Sequence, residues 1–430
     1  MKIKVWIAAA LFAAPGTSFG QDVNKLIKEA DVERVIKTLS ADDMQGRGTF
    51  TPGIEKAAGF IEAEFKAAGL APMPGNKGYR QTFSQTRVTP VNPKVVFDGK
   101  TVSDEKVAVN TSAAFSWKSD TTIKVVNLTD EKNYRMQLGT AMRSGKKLLV
   151  IFNASMADLF KRFRERAVKG SISSGGQTQP TVYVLGEAEP KTFEVSCEVK
   201  TEELPLSNIV GVIPGKSKPN EYVVFGGHYD HLGIIKPMEG DSIANGADDD
   251  ASGTTAVIEL AKYYKKLNNN ARTLVFVAFT AEEIGGFGSR YFAEKINPDQ
   301  VIALFNIEMI GKAAKFGENS AFITGFERSD FGPILQRNLE GTAFKFYPDP
   351  YPEQNLFYRS DNASLAAVGV PAHTISTDQI PTDKLYHTVK DEFSSLDVKN
   401  ITATIRAIAL SSKSIIAGQD TPTRIPKLER

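Results

Sequence analysis

The chain has 430 residues, 41% hydrophobic and 24% charged, with 52 Lys+Arg against 50 Asp+Glu and a single cysteine. That length accommodates two or three domain-sized units, each with enough apolar surface for a core. So even a charge balance excludes nucleic acid and anionic membrane as expected partners, and one cysteine excludes an intrachain disulfide.

Residues 1–20 carry the pattern of a secretory signal: Lys2 and Lys4, an apolar run over 5–14, then small residues at Ser18 and Gly20. The run is too short to cross a bilayer. The mature chain is therefore expected to be soluble and exported, periplasmic or secreted, with no membrane contact after signal removal. Two helices are predicted next. Val32, Val35, Ile36 and Leu39 share one face, and Ile54, Ala57, Ile61 and Phe65 share another between Pro52 and Gly69.

From about Val91 the texture changes to short strands, at 95–97, 107–109, 123–126, 148–152 and 181–184. One basic helix near 157–169 interrupts them, and a Gly/Ser/Gln loop follows at 171–179. Near Leu204 an alternation of strands and helices returns. Strands are expected at 208–213, 222–225, 273–279, 301–307, 321–324 and 370–375, with a helix over 253–267 and a closing helix carrying Ile401, Ile405, Ile408 and Ile415. The expected fold class is α/β, a mostly parallel central sheet with helices on both faces, plus a β-rich inserted domain. The expected domains are 21–90 with 204–417, the insert 91–203, and a loose, proline-bearing tail 418–430.

Chemistry concentrates after the predicted strands, where sites form in open parallel sheets. Gly227-His228-Tyr229-Asp230-His231 follows one strand, Glu282-Glu283 another, and Glu308 ends a third. Asp248-Asp249-Asp250 lies between small residues, and Tyr386-His387-Thr388 precedes the last helix. Each part has a plain structural explanation on its own. A loop histidine needs no metal, paired glutamates suit a helix N-terminus, and aspartates cap turns. Glu308 is the exception, since an acid ending an apolar strand is costly without a partner. Together, imidazole and carboxylate groups brought close suit a zinc-type cation. No phosphate loop and no nucleophile-elbow serine is present.

The segments Gly227-His228-Tyr229-Asp230-His231, Gly246-Ala247-Asp248-Asp249-Asp250-Ala251-Ser252-Gly253, Ala281-Glu282-Glu283-Ile284-Gly285, Asn306-Ile307-Glu308-Met309-Ile310-Gly311 and Tyr386-His387-Thr388 resemble the motif set of the secreted co-catalytic zinc aminopeptidases. Glutamate carboxypeptidase II, the transferrin receptor ectodomain and the glutaminyl cyclases share that fold, and the insert resembles a protease-associated domain. The resemblance implies two zinc ions bridged by Asp249, with His228 and Glu308 on one and Glu283 and His387 on the other. It implies Glu282 as general base on a metal-bridged water, Asp230 as hydrogen-bond partner of His228, and Tyr386 as oxyanion stabiliser. It also implies a cis Asp249–Asp250 bond. The expected substrates are peptides with a free N-terminus. Glu308 stands where these aminopeptidases usually have aspartate, so one ion is expected to bind more weakly. His231 and His373 are left to supporting or structural roles, and the Arg359-Ser360-Asp361-Asn362 stretch to the pocket wall. The alternatives on this fold are a glutaminyl cyclase-type acyltransferase and a metal-free receptor-like binding protein.

Overall fold

The computed structural model describes residues 19–173, 179–186 and 189–428. The expected signal segment, apart from Phe19 and Gly20, lies outside the described residues. The chain divides into two compact units, one formed by the chain up to Thr82 together with the chain from Ser207 on, the other by Phe83–Leu206. The strands Arg80–Phe97 and Phe193–Ile213 run unbroken past positions 91 and 203, where composition alone suggested borders.

The first unit is built on β1 (the part of Phe193–Ile213 from Ser207 on), β2 (Lys218–His228), β3 (Arg272–Phe279), β4 (Val301–Ile307), β5 (Ser320–Ile323), β6 (Lys345–Pro348) and β7 (Ala372–Ser376). Their order in the sheet is β6-β5-β7-β4-β2-β3-β1. The central pairs are parallel: Val224 lies opposite Val275 of β3 and Leu304 of β4, and Asn306 opposite Thr374 of β7. β1 and β5 join antiparallel. Every residue of β3 is buried, as expected of a strand covered on both faces.

Alternation along the strands sorts side chains onto two cores. Val223, Phe225, Leu274, Phe276, Ala303 and Phe305 face α1 (Glu29–Leu39), α2 (Pro52–Ala68), α3 (Gly253–Leu267) and the closing helix Val398–Ser411. Val224, Val275, Val277 and Leu304 face α4 (Phe287–Lys295) through Phe292 and Ile296. Phe225 stacks on Phe276 at 5.4 Å and Phe305 at 4.9 Å. Truncating one such ring costs about 3–5 kcal/mol, a large share of a typical total stability, so the sheet is a rigid floor. Helix ends follow their local chemistry. Pro52 opens α2, Gly69 closes it in the left-handed region at φ 76°, and Asp397 caps the closing helix by accepting from the Lys399 and Asn400 amides.

The second unit holds a four-stranded sheet in which Ile123–Leu128, Lys147–Phe152 and Thr181–Leu185 run parallel and Val107–Asn110 closes one edge antiparallel. It is not only strands. Helix Tyr134–Met142 joins the expected basic helix, found at Ala157–Ala167, and rings from Tyr134, Phe152, Phe160, Phe163 and Tyr183 pack together beneath them. Part of the expected loop is also a strand, Ser171–Ser173, paired with Thr86 to Val88. Cys197 is buried here, its thiol pushed up to about 11 by burial.

Among the described residues the C-terminal tail has no helix or strand, yet it is fastened rather than loose. Arg272 donates to the Asp420 carbonyl and Thr421, Arg424 donates to the Val301 and Pro298 carbonyls, and Ile425 is buried. No helix among the described residues is long and apolar enough to cross a membrane.

Candidate metal centre

The expected residues converge at the carboxyl ends of the central strands. His228 is the last residue of β2, Glu282 and Glu283 follow β3, and Glu308 follows β4 directly. Asp249 lies in the turn Ala247–Ser252 that leads into α3, and His387 in the loop after β7. His228 Nε2 lies 3.1 Å from Asp249 Oδ1 and 3.2 Å from Glu308 Oε1. His387 Nε2 lies 3.2 Å from Asp249 Oδ2 and 3.2 Å from Glu283 Oε2. The two oxygens of Asp249 thus serve two separate histidine–carboxylate pairs. His231 adds a donor that sequence reasoning left in a supporting role. Its buried Nδ1 is 2.8 Å from Glu283 Oε1, yet neither atom has hydrogen-bonding geometry. Two nitrogen–oxygen sets sharing one carboxylate, with buried polar atoms left unpaired, fit a pair of zinc-type cations. His373 is elsewhere, stacked on Phe331 at 4.8 Å and bonded through Nδ1 to the Thr324 carbonyl, with burial lowering it to about 4.

The other two aspartates of the run point away. Asp250 lies close to His228 and Glu308, but its oxygens already accept from the amides of His228 (3.1 Å), Gly253 (3.0 Å) and Met309 (3.1 Å). Asp248 accepts from the Gly311 amide at 2.7 Å and pairs with Lys312 at 3.1 Å. The Asp249–Asp250 bond is cis, as the resemblance implied. Gly253 is required by close approach, because a Cβ there would lie 2.1 Å from the Ile307 carbonyl.

Two residues absent from the expected set hold this turn. The Asp391 carboxylate accepts from the amides of Asp248 and Asp249, each at 3.0 Å. Arg47 is fully buried and donates to the carbonyls of Leu39, Tyr229, Asn245 and Gly246 at 2.6–2.8 Å. Neither leaves a pattern in sequence, since both act on main-chain groups that every residue offers.

Asp230 departs from its expected part. His228 Nδ1 meets the Asp230 main-chain carbonyl at 3.0 Å, whereas the nearer carboxylate oxygen stands 3.8 Å away. That carboxylate accepts instead from the amides of Glu282 (3.0 Å) and Glu283 (3.3 Å) and from Thr49. The reason is chain direction: the main-chain carbonyl of Asp230 satisfies the ring, which frees its side chain to order the glutamate loop. Imidazole orientation is still fixed, as a metal ligand requires.

Electrostatics separate the acids. Burial pushes Asp249 up, but His231, His228 and His387 outweigh it and hold the carboxyl well below its usual range. Burial pushes Glu282 well up, His228 opposes this only in part, and Glu308 adds to the rise. Burial, Asp249 and Glu283 raise the Tyr386 phenol, which stays protonated, its ring stacked 3.8 Å from His387. Ser360 donates to Glu308 Oε2 at 2.6 Å and itself receives from Asn306. Beside these groups opens a cavity. Asp249, Glu282, Glu308, Tyr386 and His387 border it, with Met309, Phe322, Leu356 and Ile380 as apolar wall and Arg359 and Ser360 from the expected loop.

Residues 208–411 match the profile of Peptidase family M28. A leucine aminopeptidase 1 of Pyrenophora tritici-repentis is 27% identical over 276 residues, covering 57% of this chain and 69% of that protein. A probable zinc metalloprotease of Pyricularia oryzae is 35% identical over 126 residues, 29% of this chain. The chain spans about a quarter of the length of the relatives of that description (23% and 25%). Among solved structures, an aminopeptidase from Aneurinibacillus sp. strain AM-1 shares the fold, with TM-score 0.56 at 18% identity over 95% of this chain and 97% of that one. A zinc aminopeptidase from Bacillus subtilis does so with TM-score 0.57 at 15% identity, over 92% of this chain and 97% of that one. The motif order, the sheet and the matched segment agree in making residues 208–411 similar to Peptidase family M28.

Proposed function

We propose that this protein is an exported, zinc-dependent aminopeptidase that removes the first residue from peptides with a free N-terminus. One observation carries the reading: Asp249 is shared between two histidine–carboxylate sets, with Glu282 beside them on an open cavity. His228, Glu308 and Asp249 would hold one zinc ion, and Asp249, Glu283 and His387, with His231 adjoining, the other. Zinc bound there supplies Lewis-acid polarisation of the scissile carbonyl and acidifies water. Glu308, a residue longer by one methylene than aspartate, supports unequal affinity at the two positions.

The protein's own groups handle orientation and protons. Glu282 takes the proton of the attacking water on its carboxylate and delivers it to the leaving amine nitrogen, a task its upward-shifted pKa suits. Tyr386 keeps its phenolic hydrogen and can donate it to the carbonyl oxygen as negative charge develops there. Glu308, held by Ser360, presents negative charge to the substrate ammonium. Export is supported by the pattern of residues 1–20.

The test compares Glu282→Gln with Glu283→Gln, using zinc content and cleavage of an aminoacyl anilide. Glu282→Gln is expected to keep its zinc and lose about 10²–10⁴-fold in kcat. Glu283→Gln is expected to lose zinc. Equal metal content and equal residual rates in the two variants would overturn the assignment.

A further inference from the structure

The cavity beside the centre carries one charge that no side chain among the described residues answers. Arg359 lines it, is exposed, and makes no side-chain hydrogen bond or ion pair among the described residues. Apart from His387, it is the only basic group among the lining residues. The acids of the lining are otherwise engaged. Asp249 and Glu308 face His228. Glu282 stands with them at the hydrolytic end of the cavity. Asp378 is buried within 4.8 Å of Asp248 and Asp383, and Lys312 spans those two.

We propose that Arg359 is a carboxylate-binding subsite of this cavity, so that substrates presenting a carboxylate are favoured over neutral ones. The proposal rests on the aminopeptidase reading and adds a substrate class to it. A guanidinium fork matches a carboxylate with two parallel hydrogen bonds. Met309, Phe322, Leu356 and Ile380 line the same cavity and give the rest of a substrate an apolar wall to lie against. Both ends of a short peptide then lie within one cavity, its ammonium toward Glu308 and a carboxylate toward Arg359. That carboxylate is either the C-terminus of a dipeptide or the acidic side chain of the first residue.

Two substrate pairs distinguish these sources in the zinc-loaded full-length protein: leucyl-glycine against leucyl-glycinamide, and glutamyl anilide against leucyl anilide. The wild type is expected to favour the carboxylate member of one pair by about 10–100-fold in kcat/KM, mainly through KM. Preference within the first pair assigns Arg359 to the C-terminus, and within the second to the side chain. Arg359→Ala should bring that ratio close to one, and Arg359→Lys should restore it in part, as a point charge without the fork. A ratio near one for both pairs in the wild type, or a ratio unchanged in Arg359→Ala, overturns the subsite alone. Failure to cleave any of the four substrates overturns the aminopeptidase reading itself.

Discussion

Asp391 bears on zinc without touching it. Its carboxylate holds the amides of Asp248 and Asp249 at 3.0 Å, which aims the Asp249 side chain between His228 and His387. In Asp391→Asn one acceptor oxygen becomes an NH2 donor facing an amide donor. Zinc affinity is then expected to fall about 10–100-fold, the usual cost of losing an outer partner of a ligand. Competition with a chelating dye measures this, and unchanged affinity would remove Asp391 from the site. At this scale the sequence was legible wherever a residue type carries its own chemistry. His228, Asp249, Glu283, Glu308 and His387 were picked out by the resemblance of their segments to the zinc aminopeptidase motifs, and acids and imidazole placed after predicted strands agreed with it. Asp391, Arg47 and the redirected Asp230 carboxylate were not legible, because their partners are main-chain groups with no sequence signature.

Helix α3 shows how an element is tied to the centre. Its first residue, Gly253, abuts the Ile307 carbonyl, and an added Cβ would also stand 2.5 Å from Asp250 Oδ1. Gly59 in α2 is exposed, and a Cβ there would meet nothing within 4 Å. The same substitution is therefore expected to have opposite signs. Gly59→Ala should stabilise by about 0.5–1 kcal/mol through helix propensity. Gly253→Ala should destabilise by about 1–3 kcal/mol, as overpacking does, and weaken zinc binding. Denaturant titrations of the two variants check this, and a shared sign would refute the close contact. The central strands could be read from sequence because burial on both faces writes an unbroken apolar run. Helix Tyr134–Met142 could not, since Met136 and Met142 are exposed while Leu138 and Ala141 are buried, which blurs any single stripe. The hairpin Gly233–Met238 with Asp241–Ala244 was equally hidden, because Pro237 interrupts it and most of its residues are not buried. The tail misled in the opposite way: its prolines and charges suggested looseness, while Arg272 and Arg424 anchor it.

For the whole molecule, zinc should stabilise only the unit that holds it. Ligand binding to the folded form adds about 4 kcal/mol at a thousandfold excess over Kd. For a unit of this size that corresponds to a shift in Tm on the order of 10 °C. Trp117 lies buried in the second unit, and the other tryptophan, Trp6, falls within the expected signal segment. Chelation is therefore expected to lower the calorimetric transition of the first unit and abolish activity, leaving the Trp117 fluorescence transition in place. Restoring zinc should reverse both effects. Movement of the Trp117 transition by the same amount would mean that the two units unfold as one.

Arg47 has a consequence for the timing of biosynthesis. Its carbonyl partners at Tyr229, Asn245 and Gly246 lie 182 to 199 residues further along the chain. At about 5–20 residues per second, ribosomes need roughly 10–40 s to make that stretch. During this interval the guanidinium lacks its three later partners, and the turn carrying Asp249 does not yet exist. His387 arrives later still. Hydrolytic power is thus withheld from the growing chain, and a polypeptide interrupted before its last segment is released as an inactive fragment rather than a crippled peptidase.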